Sequence, residues 1–79
     1  MSDTQKAIKL VEFMAKAIVT EPDEVKVTEG KGDSTVELQT AAEDRGRVIG
    51  RQGRVAKAMR AVLAASSVGG EDYRLDIVD

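Results

Sequence analysis

Hydrophobic residues near the start of the chain recur at helical spacing. They are Ile8, Val11, Ala15 and Ile18. Their separations of three and four residues predict a helix with one apolar face. The segment from Ser2 to Gln5 has the pattern of a capping box, and Pro22 disfavours helical geometry in the residue before it, so we expect the helix to end near Thr20. We interpret it as a packing helix, because three lysines alone make a weak membrane-binding face.

Three further segments alternate apolar and polar residues, as half-buried strands do. Val25 and Val27 lie in the first, and residues 35–40 form the second. The glycine-containing segment 29–33 separates them, which predicts a β-hairpin. Residues 73–78 alternate again and predict a third strand near the end of the chain.

The stretch between the hairpin and the last strand is predicted to be helical. Glu43 and Asp44 place negative charge where a helix would begin, which suits the helix dipole. Residues 45–49 form a short helical turn that ends at Gly50, and the alanine-rich residues 54–66 form a longer helix, closed by glycines at positions 69 and 70. The predicted order is α-β-β-α-α-β, an α+β arrangement. The length of 79 residues fits one domain over residues 1–79.

The long helix is predicted to have faces of different chemistry. The core arc comprises Val55, Ala56, Met59, Val62 and Leu63. The opposite side carries Arg54, Lys57 and Arg60. Small side chains between these faces would let a second helix approach closely, which makes them a candidate dimer interface. Its members are Ala58, Ala61, Val62 and Ala65. The alanines are equally well explained as good helix formers, so both interpretations stay open.

Charge is distributed unevenly along the chain. The net charge is −2, yet residues 45–60 contain six basic side chains and no acidic one. A local basic patch attracts a polyanion, whereas net charge mainly sets solubility. A solvated helix face is the simpler explanation of such a patch when no other signal accompanies it.

A glycine pair in the basic segment supplies that further signal. Gly50 and Gly53 flank Arg51 and Gln52, between two predicted helices. Glycines let the backbone turn tightly and approach a ligand without a Cβ clash. The turn leads into the helix that begins at Arg54, where unpaired N–H groups favour an anion. The segment therefore predicts a phosphate-binding turn.

The composition excludes several functions. The spacing lacks the Gly-Lys-Ser/Thr end of a mononucleotide P-loop and the three glycines of a dinucleotide fold. The chain has no cysteine and no histidine, which removes the usual zinc ligands, nucleophile and acid–base groups. We therefore expect no enzyme activity, no catalytic residue, no cofactor and no metal. Phe13 and Tyr73 are too few for a base-stacking sheet.

The segment from Gly46 to Arg54, Gly-Arg-Val-Ile-Gly-Arg-Gln-Gly-Arg, resembles the signature of a KH domain, whose GxxG loop clamps the backbone of single-stranded RNA. A helix before the hairpin is similar to the type II arrangement, a three-stranded sheet covered by helices on one face. Length and core motif closely resemble the KhpA family of small bacterial KH proteins. The resemblance covers nearly the whole chain and is strongest over residues 44–63.

The resemblance implies a role for each residue of the turn. Gly50 and Gly53 would let the backbone approach the phosphates, Arg51 would supply charge, and Gln52 would offer hydrogen bonds. An aliphatic groove from Val48, Ile49 and Val55 would hold about four bases, although one of Val48 and Ile49 belongs to the core. The complete RNA-binding set is Arg47, Val48, Ile49, Gly50, Arg51, Gln52, Gly53, Arg54 and Lys57.

The resemblance also implies partners. We expect a cytoplasmic RNA-binding protein, a post-transcriptional regulator or RNA chaperone, that acts as a homodimer or with a second KH protein similar to KhpB. The predicted location rests on a polar N-terminus without a signal sequence and on the absence of a membrane-spanning segment. The alternative is a protein-interaction module that keeps the KH fold and binds little RNA.

Overall fold

The computed structural model describes residues 3–32, 34–66 and 73–78, and it confirms the predicted order of elements. The elements are α1 (Asp3–Ile18), β1 (Lys26–Glu29), β2 (Thr35–Gln39), α2 (Arg45–Ile49), α3 (Arg54–Ala65) and β3 (Arg74–Val78). Short 3₁₀ turns precede β1, α2 and α3. The predicted cap at Ser2 and the glycines at 69 and 70 lie outside the described residues. Helix α1 ends two residues before the expected Thr20.

The three strands form one mixed sheet in the order β1-β2-β3. Strands β1 and β2 pair antiparallel, whereas β2 and β3 pair in parallel, with Val36 opposite Leu75. A parallel pair requires a crossover, and α2 and α3 provide it. The sheet therefore has two open edges among the described residues, one at β1 and one at β3.

Alternation along the strands decides which face of the sheet is covered. Val36, Leu38 and Leu75 point to the helices and are fully buried or nearly so. The opposite face carries polar residues such as Lys26 and Arg74, which are exposed. All three helices lie on the apolar side, which confirms a single layer of helices over a three-stranded sheet.

The core lies between the sheet and helices α1 and α3. Val11 and Ala15 of α1 are completely buried, and Met59 and Leu63 of α3 pack against the same cluster. Leu63 and Leu38 are among the largest fully buried side chains, so replacing either with alanine is expected to lower the free energy of unfolding by about 2–5 kcal/mol. This core holds α3, and with it the glycine turn, against the sheet.

One predicted core residue is not in the core. Val62 was assigned to the buried arc of α3, but its side chain is 46% exposed. It lies one turn from Met59 and lines a groove between α1 and α3 that is open to solvent. The other four members of the arc are buried or half-buried.

None of the helices in the described ranges is long and apolar enough to cross a membrane.

Candidate nucleic-acid interface

The glycine turn between α2 and α3 has a backbone that ordinary residues do not adopt. Gly50 ends α2 with φ 78° and ψ 171°, a region that is essentially restricted to glycine. Gln52 and Gly53 follow in left-handed conformations, with φ values of 57° and 74°. The amide of Gly53 donates a 3.1 Å hydrogen bond to the carbonyl of Gly50 and closes the turn. A left-handed Gln52 is strained, and such strain clusters at functional sites.

The two glycines are required for different reasons. A Cβ atom on Gly50 would lie 2.5 Å from Cγ2 of Val55 and 2.8 Å from the Val55 amide nitrogen, so the backbone there packs directly on α3. A Cβ atom on Gly53 would meet nothing within 4 Å. Gly50 is therefore required both by its close contact with α3 and by its backbone conformation. Gly53 is required by its backbone conformation alone, and the space around it is open.

Helix α3 begins directly after the turn with an open N-terminus. Its cap residue is Gly53, and no side chain caps the first amides of the helix. Unpaired amides and the helix dipole make such an end favourable for an anion. The structure thus places the predicted phosphate-binding turn at the start of a 12-residue helix.

Charged side chains surround this end of α3. Arg51 and Arg54 flank the turn, and Lys57 follows one helical turn later; all three are exposed. Within residues 3–32, 34–66 and 73–78, neither these cations nor Gln52 has a hydrogen bond or ion pair through its side chain. Their charges are available to a polyanion, because no carboxylate of the described chain compensates them.

Other cations of the basic segment have partners. Nε of Arg47 lies 3.7 Å from Oδ1 of Asp44, although the arginine side chain remains 58% exposed. Arg60 donates to the carbonyl of Leu75 from Nε at 3.1 Å and from Nη2 at 3.0 Å. The basic surface is therefore a mixture of free and held cations.

The choice between Val48 and Ile49 is decided by burial. Val48 has no exposed surface and belongs to the core, so we withdraw its side chain from the predicted RNA-contacting set. Ile49 is 37% exposed next to Gly50, and Val55 is half-buried beneath the turn. The two residues are adjacent on α2 and point in different directions, Val48 into the core and Ile49 towards solvent, so only Val48 is fully buried.

Asp44 holds α2 in place and has a role that the sequence did not reveal. As expected, it lies directly before α2, and its side chain makes no cap bond to that helix. Instead, the carboxylate accepts hydrogen bonds from the Thr20 amide at 3.0 Å, the Thr20 hydroxyl at 2.9 Å and the Glu21 amide at 3.0 Å. This buried carboxylate joins the segment after α1 to the segment before α2.

These hydrogen bonds also set the ionisation of Asp44. The Thr20 amide bond is the largest influence and holds the pKa below its ordinary value of 3.8. Burial opposes this by favouring the neutral acid, whereas the Thr20 hydroxyl, the Glu21 amide and nearby Arg47 lower the pKa further. The net effect is an ionised carboxylate that anchors the turn-bearing helix.

A second surface lies beside the turn, on α1 and α3. We call it the apolar face, and its residues are Phe13, Met14, Ala17, Ile18, Val55, Ala58, Met59 and Val62. Phe13 is 74% exposed and Val62 is 46% exposed, so large apolar side chains from both helices are in contact with solvent on this face. Two members of the predicted dimer interface, Ala58 and Val62, line this face, while Ala61 and Ala65 are exposed farther along α3. The contribution of α1 was missed, although Phe13 falls outside the helical spacing of the buried residues.

Among the described residues, no group of three histidine, cysteine, aspartate or glutamate side chains is arranged to hold a metal ion.

The helix–glycine turn–helix unit on a three-stranded sheet defines a KH domain of type II. Comparison with known families agrees: the family model described as KhpA/KhpB, KH domain, matches residues 8–77. The chain therefore belongs to the KhpA/KhpB family of KH domains.

Curated relatives support this assignment. The chain is 50% identical to the RNA-binding protein KhpA of Clostridium acetobutylicum over 62 residues, which cover 76% of this chain and 83% of the relative. It is 42% identical to the protein of the same name from Treponema pallidum, with 90% and 92% of the two chains covered. The Borreliella burgdorferi KhpA is 38% identical over the full length of both chains. No solved structure gives a significant match.

Proposed function

We propose that this protein binds single-stranded RNA through the glycine turn between α2 and α3. The turn itself carries the proposal: two glycines in left-handed or glycine-only geometry bring the backbone to the surface at the open start of α3. Three relatives from different bacteria are named RNA-binding proteins, which supports RNA as the polyanion.

The proposed contacts divide between backbone and bases. The exposed backbone from Gly50 to Gly53 approaches the phosphates, and Arg51 and Arg54 supply charge without losing an existing partner. Lys57 and Arg47 extend this positive surface in two directions. Ile49 and Val55 form the aliphatic wall against which bases lie, and Gln52 donates or accepts hydrogen bonds.

The first experiment measures binding of a fluorescent single-stranded RNA by wild type and by Arg51→Asp/Gln52→Asp across a salt series. Wild type is expected to bind with a salt slope of about −0.7 per phosphate contacted. The double variant is expected to lose binding, because it places two carboxylates where the phosphates would lie.

A matched control is Lys26→Asp/Thr28→Asp, which changes the net charge equally on the sheet face away from the helices. We expect the control to bind nearly as well as wild type. Equal loss in both variants would attribute binding to overall charge, and undiminished binding by the turn variant would move the RNA site elsewhere. Single-stranded DNA of the same sequence, added as competitor, tests whether the 2′-hydroxyl matters.

We further propose that the apolar face joins two copies of this chain. None of the residues that line it carries a formal charge, so two copies can meet face to face without like-charge repulsion. Phe13 protrudes beside a groove between α1 and α3, which is the shape that a two-fold interface needs: a projecting group and a depression on the same surface. Aromatic and methionine side chains are also enriched in such interfaces.

Association would increase RNA affinity as well as stability. A single site for about four nucleotides binds weakly, and two linked sites gain affinity through effective concentration. A chain of 79 residues also benefits from burying more apolar surface. A KhpB-like KH protein is the alternative occupant of the same face.

Sedimentation velocity of wild type, Val62→Glu and Ala64→Glu tests the homodimer. Ala64 lies two residues after Val62, about 200° around the helix, and is exposed. We expect a dimer for wild type and Ala64→Glu, and a folded monomer for Val62→Glu. A wild-type monomer at high concentration would reject the homodimer and direct attention to the heterodimer, tested by mixing with a purified KhpB-like KH protein.

In the cell, the dimer is proposed to act on RNA after transcription, as a regulator or chaperone without a catalytic step. The predicted cytoplasmic location and the independence of residues 1–79 as a folding unit stay predictions, to be checked by cell fractionation and by unfolding of the isolated chain.

A further inference from the structure

The three-stranded sheet has two open edges among the described residues, and they differ in how they are covered. At β3, the amide of Arg74 donates a 2.7 Å hydrogen bond to the carbonyl of Ser34, so the backbone of residue 74 faces β2. The next residue, Leu75, turns its backbone groups to the open side. Arg60 donates to this outward carbonyl from Nε at 3.1 Å and from Nη2 at 3.0 Å, and its side chain therefore obstructs the edge of β3.

The edge of β1 has no such obstruction in the described ranges. The amide of Gly30 donates a 2.8 Å hydrogen bond to the carbonyl of Thr35, which fixes the alternation of the antiparallel pair. The backbone of Thr28 consequently faces β2, whereas the N–H and C=O groups of Val27 and Glu29 face outward. No residue that the structure describes bonds to these four groups. Such a row of unpaired groups is a template for a further strand.

Apolar side chains that are only partly buried lie beside this edge. Helix α1 packs over β1, and Arg60 ties α3 to β3 at the other side of the sheet. The flank of α1 that turns away from α3 is therefore the flank beside the open edge of β1. It carries Ile8 and, directly after the end of the helix, Val19, which lie about 120–140° around the helix from Phe13. Both are half-buried, as is Val27, so an added strand would contact apolar surface here.

An acidic segment lies at the N-terminal end of β1. Its side chains are Glu21, Asp23 and Glu24, which are all exposed. None of the three side chains forms an ion pair or a hydrogen bond with another described residue. In an antiparallel pair, which is the commoner arrangement, the C-terminal end of an added strand lies next to the N-terminal end of β1. The uncompensated carboxylates therefore favour basic residues at the C-terminal end of that strand.

We propose that the open edge of β1 binds an extended segment of another protein, in which alternating apolar residues are followed by basic residues. The segment adds a fourth strand to the sheet through the outward backbone groups of Val27 and Glu29. Its apolar side chains contact Ile8 and Val19, and its basic end meets the acidic segment. This surface shares no residue with the glycine turn or with the apolar face, so its test does not depend on RNA binding or on association of two copies.

The test measures binding of two labelled peptides to the full chain by fluorescence anisotropy. Each peptide consists of alternating threonine and valine with a pair of lysines, at the C-terminal end of one peptide and at the N-terminal end of the other. The two have identical composition and net charge, so non-specific attraction to an acidic protein affects them equally. The peptide with C-terminal lysines is expected to bind about 3- to 10-fold more tightly, because only its lysines form ion pairs with the acidic segment.

Two variants of Glu29 separate the backbone contact from the charge. Glu29→Pro removes one outward N–H group but no bond to β2, and proline is tolerated at such a position of an edge strand. We expect it to weaken peptide binding about 2- to 10-fold, the contribution of one hydrogen bond. Glu29→Gln removes the same charge and keeps the N–H group, so its affinity should stay within about twofold of wild type. Thermal unfolding of each variant establishes that it is folded.

Hydrogen exchange of individual amides locates the bound peptide. The amides of Val27 and Glu29 should exchange rapidly in the free protein and become protected when the peptide is added. Equal affinity for the two peptides, a preference for N-terminal lysines, or equal affinity of Glu29→Pro and Glu29→Gln would overturn the proposal. Protection of both amides in the protein alone, increasing with its concentration, would assign the edge to a second copy and overturn it as well. If Glu29→Pro does not fold, the peptide pair and the exchange of the wild-type amides still decide.

Discussion

At the scale of single residues, the glycine turn shows how two identical residue types meet different demands. Gly50 occupies a backbone region closed to other residues and packs against Val55, whereas Gly53 occupies a left-handed region with open space around it. Left-handed conformation alone is tolerated by asparagine, but a steric conflict with the next helix is not. The two positions should therefore respond differently to substitution.

We predict that Gly50→Ala lowers the free energy of unfolding by about 3 kcal/mol or more, since it combines backbone strain with overpacking. Gly53→Ala should cost about 1–2 kcal/mol, and Gly53→Asn less than about 1 kcal/mol. Urea denaturation of the three variants measures these values. Similar losses for Gly50→Ala and Gly53→Ala would show that the Val55 side chain moves aside easily and that the contact of residue 50 with α3 contributes little to stability.

At the scale of elements, the short helix α2 depends on a contact from outside itself. Five residues make a helix too short to be stable alone. Its support comes from Val48 in the core and from Asp44, whose carboxylate is bonded to Thr20 and Glu21. The segment after α1 thereby helps to position the helix that ends in the glycine turn.

We predict that Asp44→Asn lowers the stability at neutral pH and that the difference from wild type shrinks in acid. Because the folded-state pKa of Asp44 is lowered, its contribution is fully present above the unfolded value of about 3.8 and is lost as the pH falls through the lower, folded value. Urea denaturation at a series of pH values measures this.

Asp23→Asn is the control for Asp44→Asn, because Asp23 is an exposed carboxylate two residues after Glu21, whose amide bonds to Asp44. Its effect should stay within about 0.5 kcal/mol. A difference between wild type and Asp44→Asn that persists unchanged below pH 3 would indicate that shape, rather than charge, accounts for the role of Asp44.

At the scale of the whole molecule, a protein with net charge −2 is proposed to bind a polyanion. This is possible because the fold concentrates free cations at one end of α3 and places others, such as Lys26, on the far face of the sheet. Screening limits each exposed charge to a range of about 8–10 Å at ordinary salt, so a distant negative charge weakens binding only slightly.

We predict that Arg54→Gln reduces the magnitude of the RNA salt slope by about 0.7, the value for one phosphate contact on a single strand. Lys26→Gln removes the same charge from the far face and should leave the slope unchanged. Fluorescence anisotropy at five salt concentrations gives both slopes. Equal reductions would mean that RNA responds to total charge and has no localised site.

Much of the fold and the position of the glycine turn follow from local sequence. The helical spacing in α1, the alternation in the strands and the glycines after α2 act within a few residues, so their structural consequences are readable along the chain. The splitting of Val48 from Ile49 was foreseen, but which residue is buried depends on how α2 lies on α3. For the same reason, the helical spacing of α3 wrongly assigned Val62 to the core. Its exposure depends on how α1 packs against α3, and α1 is distant in sequence.

The sequence by itself determined the order of elements, the family resemblance and the segment that bears the glycine turn, because backbone conformation and amphipathic spacing are local properties. Only the tertiary structure decided the partners of Asp44 and Arg60 and the apolar face around Phe13. Each of these depends on contacts between elements 15 or more residues apart or on the surface that two separate helices form together, and no local pattern encodes such distances.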